Sequence, residues 1–367
     1  MRLSVKILII VDLFLIFGSV FFYFFILPPR VMSLSPSIED ENVSIESSFV
    51  INFDKPVKRK KLQHSITPEA YGEWKFEDSL VNNHLYCTLT FTPVIDFSPE
   101  TQYQVKIENI ISPLGIGSPG SFSFSFKTES IYVDSYQENE KKNDISQDIV
   151  EEDLVDSGEN CSEESAQASI EPEPQITLLN IPLDWQDYSL SCEAASLKMA
   201  LAYKNIYVSE DDIMDKIGYD LTIRKDGIWG NPYESYVGDI DGKMCTSGYG
   251  VYWQPVAEAA NNWREAESFS EGRLENLVKE LKLGNPVVIW GTLPVNKIHD
   301  CSWHTSDGKY IKAFQETHVR LVIGFIGEPE NPSHIILNDP LSGRLYWETP
   351  FFLTNWSAFD YSGVVLR

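Results

Sequence analysis

The stretch CEAASLKMALAYK, residues 192–204, is apolar on almost every side, which is expected for a helix buried within a domain. It follows the polar loop WQDYSLS, residues 185–191, so Cys192 is predicted to lie at the helix N-terminus. The helix dipole and free amide groups stabilise a thiolate there, and such thiols have pKa values of about 3.5–7.5 instead of about 8.5. Cys192 is therefore the candidate nucleophile.

A cysteine nucleophile needs a base and a group that orients the base. His318 begins the strand-like run HVRLVIGF, and Asp339 follows the strand-like run HIILN. If these strands pair as antiparallel neighbours, both side chains reach the same end of the sheet. Gln186 lies six residues before Cys192, where its amide can donate to a developing oxyanion. Each residue type alone is more often structural in such a position, so only the combination favours catalysis.

The segment from residue 176 to residue 367 contains both helix and strand signals. The run SEGRLENLVKELKLG predicts an amphipathic helix with Ser270 as its N-cap and Gly284 as its C-terminal stop. The run PVVIWGT predicts a further strand, and SDGK inside WHTSDGKYI predicts a hairpin turn. Helices followed by antiparallel strands are typical of an α+β domain.

The order and context of these elements resemble a known family. The runs NIPLDWQ, SCEAASLKMAL, GNPVVIWGT, THVRLVIGF and ILNDPLSG are similar to papain-like cysteine peptidases of the bacteriocin-processing, double-glycine type. NPYESYVGDIDG and GYGVYWQPVAEAA resemble its stand-alone, secreted branch. The resemblance extends from about Leu178 to the C-terminus. It implies Cys192 as nucleophile, His318 as base, Asp339 as orienting acid and Gln186 as oxyanion donor.

Two positions differ from the common pattern of that family. Glu193 follows the cysteine and Thr317 precedes the histidine, where glycine is common in both places. A carboxylate at Glu193 is expected to oppose thiolate formation slightly, while its charge favours the helix N-terminus. Neither difference removes a catalytic group.

The segment 31–128 reads as short strands joined by polar turns. In HLYCTLTFTP the apolar residues alternate with polar ones, which places Cys87 in a predicted core. Similar alternation in SFVINF, YQVKIENI and SFSFSFKT indicates an antiparallel sandwich. The order of these runs resembles the bacterial Ig-like domains of cell-surface proteins, which implies a spacer or adhesive role.

Residues 7–27 form an apolar run of 21 residues that only Asp12 interrupts with a charge. At about 1.5 Å per residue this run is long enough to span the core of a bilayer. A cleaved signal peptide is the alternative, but the apolar FFYFFIL follows the weak candidate site at Gly18 and Ser19. Arg2 and Lys6 precede the span, so the positive-inside rule predicts a single-pass membrane protein whose later domains are extracellular.

The net charge of −25 argues against a nucleic-acid partner, because a polyphosphate requires a basic face. Nearly half of this charge lies between Asp134 and Glu173, which contain fourteen acidic residues and two lysines. The segment 129–175 is therefore predicted to be a disordered acidic linker, with an interaction tail as the alternative.

Five cysteines are too few for a disulfide scaffold, and an odd number leaves at least one thiol free. Cys245 and Cys301 could form a disulfide, which sequence alone leaves open. His299, Cys301 and His304 cluster, but their spacing matches no common zinc site, so no metal or cofactor is predicted. Four aromatic residues could line a substrate groove or simply pack: Trp229, Tyr249, Tyr252 and Trp253.

The sequence thus predicts a transmembrane anchor within residues 1–30, an all-β Ig-like sandwich over 31–128, the linker over 129–175 and an α+β papain-like cysteine peptidase domain over 176–367. The expected activity is hydrolysis of polypeptides, or of cell-wall peptides, at the cell surface. Three alternatives remain open: a cell-wall amidase or transpeptidase that uses the same residues, a non-catalytic binding module, and an adhesin in which the Ig-like domain is the functional part.

Overall fold

The computed structural model describes residues 27–81, 84–115, 118–130, 175–294 and 297–367 of the chain. The predicted membrane span lies outside these residues except for Leu27, as does the predicted linker between residues 131 and 174. Within the described ranges, no helix combines the length and the apolar character needed to cross a membrane.

The N-terminal part is a sandwich of two four-stranded sheets, with strand orders β1-β3-β6-β5 and β2-β8-β7-β4. Its strands are β1 (Val31–Ser35), β2 (Asp40–Val43), β3 (Phe49–Phe53), β4 (Gln63–Thr67), β5 (Gly72–Val81), β6 (His84–Pro93), β7 (Gln102–Ile110) and β8 (Gly120–Thr128). All pairs are antiparallel except β2 with β8, which is parallel.

Alternating side chains build the core of this sandwich, because successive residues of a strand point to opposite faces. Phe49, Ile51 and Phe53 of β3 are fully buried, and so are Cys87 and Leu89 of β6. The predicted sandwich and the predicted core position of Cys87 are therefore confirmed.

The C-terminal part combines five helices with a seven-stranded sheet and two small sheets. The helices are α1 (Cys192–Tyr203), α2 (Glu210–Ile217), α3 (Trp253–Ala260), α4 (Leu274–Lys282) and α5 (Thr349–Trp356). The strands are β9 (Ile176–Leu178), β10 (Tyr219–Asp220), β11 (Tyr236–Gly238), β12 (Gly248–Gly250), β13 (Ala266–Phe269), β14 (Val287–Thr292), β15 (Trp303–His304), β16 (Tyr310–Ile311), β17 (Thr317–Glu328), β18 (Asn331–Asp339), β19 (Gly343–Glu348) and β20 (Gly363–Leu366).

The large sheet has the order β13-β20-β14-β17-β18-β19, and β9 also pairs with β17. Strand β17 is buried along most of its length because α1 packs across it. β17 and β18 are antiparallel, with Leu321 opposite Asn338, so the start of β17 and the end of β18 lie at the same end of the sheet.

Two local predictions have different outcomes. The hairpin around SDGK forms between β15 and β16, as expected. Helix α4 begins later than predicted, since its N-cap is Arg273 rather than Ser270, without a side-chain capping bond. Its end agrees with the prediction, because Gly284 follows Leu283 with φ of 80°, a left-handed conformation that glycine adopts without strain.

Candidate active site

Helix α1 presents Cys192 at its first position, where main-chain N–H groups have no intrahelical partner. The side chain is 7% exposed. Its sulfur accepts a hydrogen bond from the main-chain N–H of Val319, the residue after His318. One turn further along α1, Ser196 Oγ donates to Val319 O at 3.4 Å. The first turn of α1 is therefore packed directly on the start of β17.

His318 and Asp339 are joined by a buried hydrogen bond, with His318 Nε2 2.9 Å from Asp339 Oδ1. The same carboxylate accepts from Arg320 Nε at 2.7 Å and from the main-chain N–H of Leu341 at 2.7 Å. All three side chains that form this network are at most 3% exposed. The carboxylate is thus fixed from several sides, and it holds the imidazole in one orientation.

The electrostatics of this pair fix its protonation. Burial alone would raise the pKa of Asp339, but His318, Arg320 and the hydrogen bonds together hold that pKa far below its usual range. Burial lowers the pKa of His318, and Asp339 offsets this only in part. A carboxylate accepts only, so Nε2 carries the proton and Nδ1 is the free basic nitrogen of the neutral ring.

Glu193 is the second ionisable group at the nucleophile. Its Oε2 lies 3.3 Å from Cys192 Sγ, and its Oε1 accepts the Val251 N–H at 3.0 Å. A side chain at position 250 would leave no room for the Glu193 carboxyl group, because a Cβ at Gly250 would lie 2.3 Å from Glu193 Oε1. Burial raises the pKa of this carboxyl group to about 7. The Glu193 carboxyl therefore sits in a specific slot beside the sulfur.

The pKa of Cys192 differs from the sequence expectation. Burial raises it well above the ordinary thiol value, and the Glu193 carboxylate adds to the rise, while the Val319 N–H acts in the opposite direction. The expected lowering by the helix N-terminus was wrong, since desolvation of a buried thiolate outweighs a partial dipole charge. Burial thus shifts the pKa of Cys192 upward and that of His318 downward, so both shifts favour the neutral forms of these groups.

Gln186 lies in the loop before α1, and its side chain is buried. Its Nε2 donates to Tyr188 O at 2.7 Å and to Ser189 O at 2.9 Å, while its main-chain N–H donates to Pro340 O at 3.2 Å. The side-chain amide therefore stabilises the loop, and the main-chain N–H connects the loop to the turn after Asp339. Because both amide protons are directed at carbonyls, the oxyanion role remains a prediction.

The other sequence candidates have structural positions. Trp229, Tyr249, Tyr252 and Trp253 are all buried and pack inside the domain. Trp229 also forms part of the wall of a small cavity of about 150 Å³. Cys245 and Cys301 form a disulfide, which removes Cys301 as a thiolate ligand for a metal. Among the described residues, no cluster of His, Cys, Asp and Glu side chains is arranged to hold a metal ion.

Sequence reasoning missed one member of the site, Arg320. It lies two residues after His318 in β17 and therefore points to the same face of the strand, which is the signal that could have identified it. Its guanidinium group lies 4.5 Å from the ring of Trp347 and donates to Asp339 and to Thr292 O.

Comparison with known proteins identifies the family of the C-terminal part. A family model described as the peptidase C39-like family matches residues 169–364, more than half of the chain. The chain belongs to the peptidase C39-like family. It is accordingly a cysteine peptidase, and its C-terminal part is the peptidase domain. A second model, for a bacterial Ig-like domain, matches residues 26–128, N-terminal to the peptidase domain.

Three solved structures are similar to parts of this chain. A C39-like peptidase from Bacillus anthracis is 26% identical, with a TM-score of 0.46, over 53% of this chain and 98% of that one. A double glycine motif protease from an AMS/PCAT transporter, in complex with the leader peptide, is 17% identical, with a TM-score of 0.30, over 52% of this chain and 94% of that one. CopC from Methylosinus trichosporium OB3b is 18% identical, with a TM-score of 0.22, over 30% of this chain and 97% of that one. No curated protein matches the sequence.

Proposed function

We propose that the peptidase hydrolyses peptide bonds with Cys192 as nucleophile, His318 as general base and Asp339 as the residue that orients His318. The observation that carries this proposal is the buried 2.9 Å hydrogen bond between His318 Nε2 and Asp339 Oδ1, formed where the first turn of α1 packs on β17. A nucleophile, a base that accepts its proton and an acid that orients the base are sufficient for acyl transfer.

The chemistry follows from the protonation states. As the sulfur attacks the substrate carbonyl, the Cys192 proton passes to Nδ1 of His318, and a C–S bond forms. The imidazolium then gives this proton to the leaving amine as the C–N bond breaks, which leaves a thioester on Cys192. His318 takes a proton from water, which attacks the thioester; the C–S bond then breaks, the sulfur takes this proton back from Nδ1, and the carboxylic acid is released with Cys192 restored as a thiol. Asp339 keeps Nε2 protonated throughout and stabilises the imidazolium.

The negative oxygen that develops on the attacked carbonyl needs hydrogen-bond donors. We assign the Cys192 main-chain N–H and the Gln186 amide to this task. The first is supported by its place in the first turn of α1, and the second by the loop that carries Gln186 toward that turn. For Gln186 this assignment requires one amide proton to leave Tyr188 O or Ser189 O when the substrate binds.

We also propose that residues 7–27 anchor the peptidase in the cell membrane and that both domains face the outside. The length and apolar character of the span support the anchor. The Cys245–Cys301 disulfide supports an extracellular location, because disulfides persist in oxidising compartments. If mass spectrometry of the membrane fraction finds a mature N-terminus beyond residue 27, the anchor is wrong.

Hydrolysis of an unfolded polypeptide by the full-length protein tests the catalytic proposal. Cys192→Ser should reduce kcat by at least about 10³, because the hydroxyl is a far poorer nucleophile at this site. Cys87→Ser is the matched control: it changes the other free thiol of the described residues, in the core of the Ig-like domain, and should retain activity. Hydrolysis that persists in Cys192→Ser would refute the assignment.

A further inference from the structure

The Ig-like domain is in direct contact with the peptidase domain. Its edge strand β5 lies against β19, which is the edge strand of the seven-stranded sheet. Glu73 Oε1 in β5 accepts the main-chain N–H of Tyr346 in β19 at 3.2 Å. Beside these strands, Tyr71, Val94 and Ile95 pack against the core of the peptidase domain. The two domains are therefore packed against each other through these strands and side chains.

The contact extends to the segment that precedes the nucleophile. Lys60 Nζ, in the Ig-like domain, donates a hydrogen bond to the main-chain oxygen of Gln186 at 2.5 Å. Gln186 in turn donates its main-chain N–H to Pro340 O, in the turn after Asp339. The Ig-like domain therefore touches the backbone next to two candidate catalytic residues.

A cavity of about 400 Å³ lies between the two domains. From the Ig-like side it is lined by His64, Ser65 and Trp74, among others, and from the peptidase side by Trp185 and Ser342. Trp185 directly precedes Gln186, and the main-chain N–H of Ser342 donates to Asp339 Oδ1 at 3.0 Å. The peptidase wall of the cavity is thus formed by the two segments that position Gln186 and Asp339.

The lining of the cavity suits one kind of ligand. Trp74, Trp185 and Tyr346 supply aromatic surface, and the ring of His64 is stacked on Trp74 at 4.1 Å between centroids. Arg344 and Glu69 add one group of each charge to the lining, and the Arg344 guanidinium group is held by Asn338 Oδ1 and Ile181 O at 3.3 and 3.2 Å. Aromatic walls with a few fixed polar groups favour a large apolar side chain whose polar backbone stays near the rim.

We propose that this interdomain cavity is a substrate subsite, in which the Ig-like domain and the peptidase domain together bind a large apolar side chain of the polypeptide substrate. The inference rests on the proposed function, and it is supported by the position of Trp185, which precedes Gln186, and of Ser342, which donates to Asp339, in the cavity wall. The peptidase should then prefer an aromatic or large aliphatic residue at a fixed distance along the chain from the cleaved bond.

The test uses the full-length protein and two polypeptides that differ only at the preferred position, one with Phe and the other with Ala. Wild type should show kcat/KM about 10- to 100-fold higher for the Phe substrate, the range expected from burying one large side chain. Ser65→Trp places a ring in the cavity from the Ig-like side and should reduce this ratio to within about threefold. Ser79→Trp, at another exposed serine of the same domain, should leave the ratio unchanged.

Circular dichroism establishes that the variants are folded, and Ser65→Leu, a smaller obstruction, should reduce the ratio in part if Ser65→Trp does not fold. A wild-type protein without preference for large apolar residues, or a folded Ser65→Trp that keeps the wild-type ratio, would overturn the subsite. Failure of wild type to cleave any polypeptide would be a different result, because it would refute the proposed function itself.

Discussion

Glu193 Oε2 lies 3.3 Å from Cys192 Sγ, so a buried carboxyl group directly adjoins the candidate nucleophile. Ionised Glu193 opposes the thiolate, whereas protonated Glu193 can donate a hydrogen bond to it. With its pKa raised to about 7, this carboxyl group changes charge near neutral pH. The reactivity of Cys192 should therefore depend on Glu193 as well as on His318.

Replacement of Glu193 by Gln should make Cys192 more reactive at pH 8. The amide keeps the shape of the carboxyl group in the slot beside Gly250 but carries no charge, so the thiolate costs less free energy. We expect alkylation of Cys192 by iodoacetamide to become at least about tenfold faster at pH 8, a lowering of its pKa by one or more. Mass spectrometry of labelled peptides measures this rate. The control Glu258→Gln, at an exposed carboxyl group on α3, should leave the alkylation rate unchanged. Equal alkylation rates in wild type, Glu193→Gln and Glu258→Gln would contradict the prediction.

Glu193 should also make stability depend on pH. Its folded-state pKa of about 7 exceeds the ordinary 4.5, so the folded state binds this proton more firmly than the unfolded state does. The stabilisation is complete below about pH 4.5 and is lost as the pH rises through 7. The free energy of unfolding of wild type should fall by about 3 kcal/mol relative to Glu193→Gln between pH 4.5 and 8. Urea unfolding at several pH values measures the difference; a difference that stays constant with pH would rule this out.

Removal of the Arg320 guanidinium group should be strongly destabilising. Arg320 is 1% exposed and donates to Asp339 Oδ2 at 2.7 Å, so Arg320→Met leaves a buried carboxylate without its cation. Breaking a buried pair in this way costs about 3–5 kcal/mol. We expect the urea midpoint to fall accordingly, whereas Lys75→Met, which breaks an exposed pair with Glu77, should not shift it measurably. Similar midpoints for the two variants would show that Arg320 is not needed to hold Asp339.

The Cys245–Cys301 disulfide closes a loop between residues 56 apart in sequence. On the chain-entropy account, a loop of that length adds at most about 4 kcal/mol of stability. Cys245→Ser/Cys301→Ser should therefore lower the free energy of unfolding by up to that amount. A reductant should lower the stability of wild type to the same level and have no effect on the double variant. If a reductant leaves wild type unchanged, the disulfide does not stabilise the domain.

Replacement of Gln186 by Ala should separate turnover from thiol reactivity. Loss of one oxyanion donor typically costs about 10²–10³ in rate, so hydrolysis of an amide substrate should fall by that factor. Iodoacetamide forms no oxyanion, and alkylation of Cys192 should stay within about threefold of wild type. Parallel losses in both assays would show instead that Gln186 acts only by bracing the loop through Tyr188 O and Ser189 O.

Much of the architecture was predictable from local patterns. The alternation in HLYCTLTFTP indicated a sandwich strand, and β6 buries Cys87, Leu89 and Phe91 on one face. The apolar stretch after WQDYSLS indicated a buried helix with Cys192 at its start, and α1 begins there. These predictions depend on side-chain periods of 2 and 3.6, which the sequence itself contains.

The electrostatics of the site could not be predicted in the same way. The sequence contains Glu193, but only packing places its carboxyl group in the slot formed by Gly250 and Val251, residues nearly sixty positions later. The pKa of Cys192 likewise depends on how completely water is excluded, and burial is a property of the whole domain.

The sequence by itself determined the order of the Ig-like and peptidase domains and predicted Cys192, His318, Asp339 and Gln186 as catalytic candidates, because residue types and local periods are written along the chain. The tertiary structure alone decided that Arg320 holds Asp339, that Cys245 pairs with Cys301, and that the Ig-like domain closes a cavity beside the loop before α1. Each of these joins residues far apart in sequence. Their contact depends on how strands and domains pack in space, which no local pattern records.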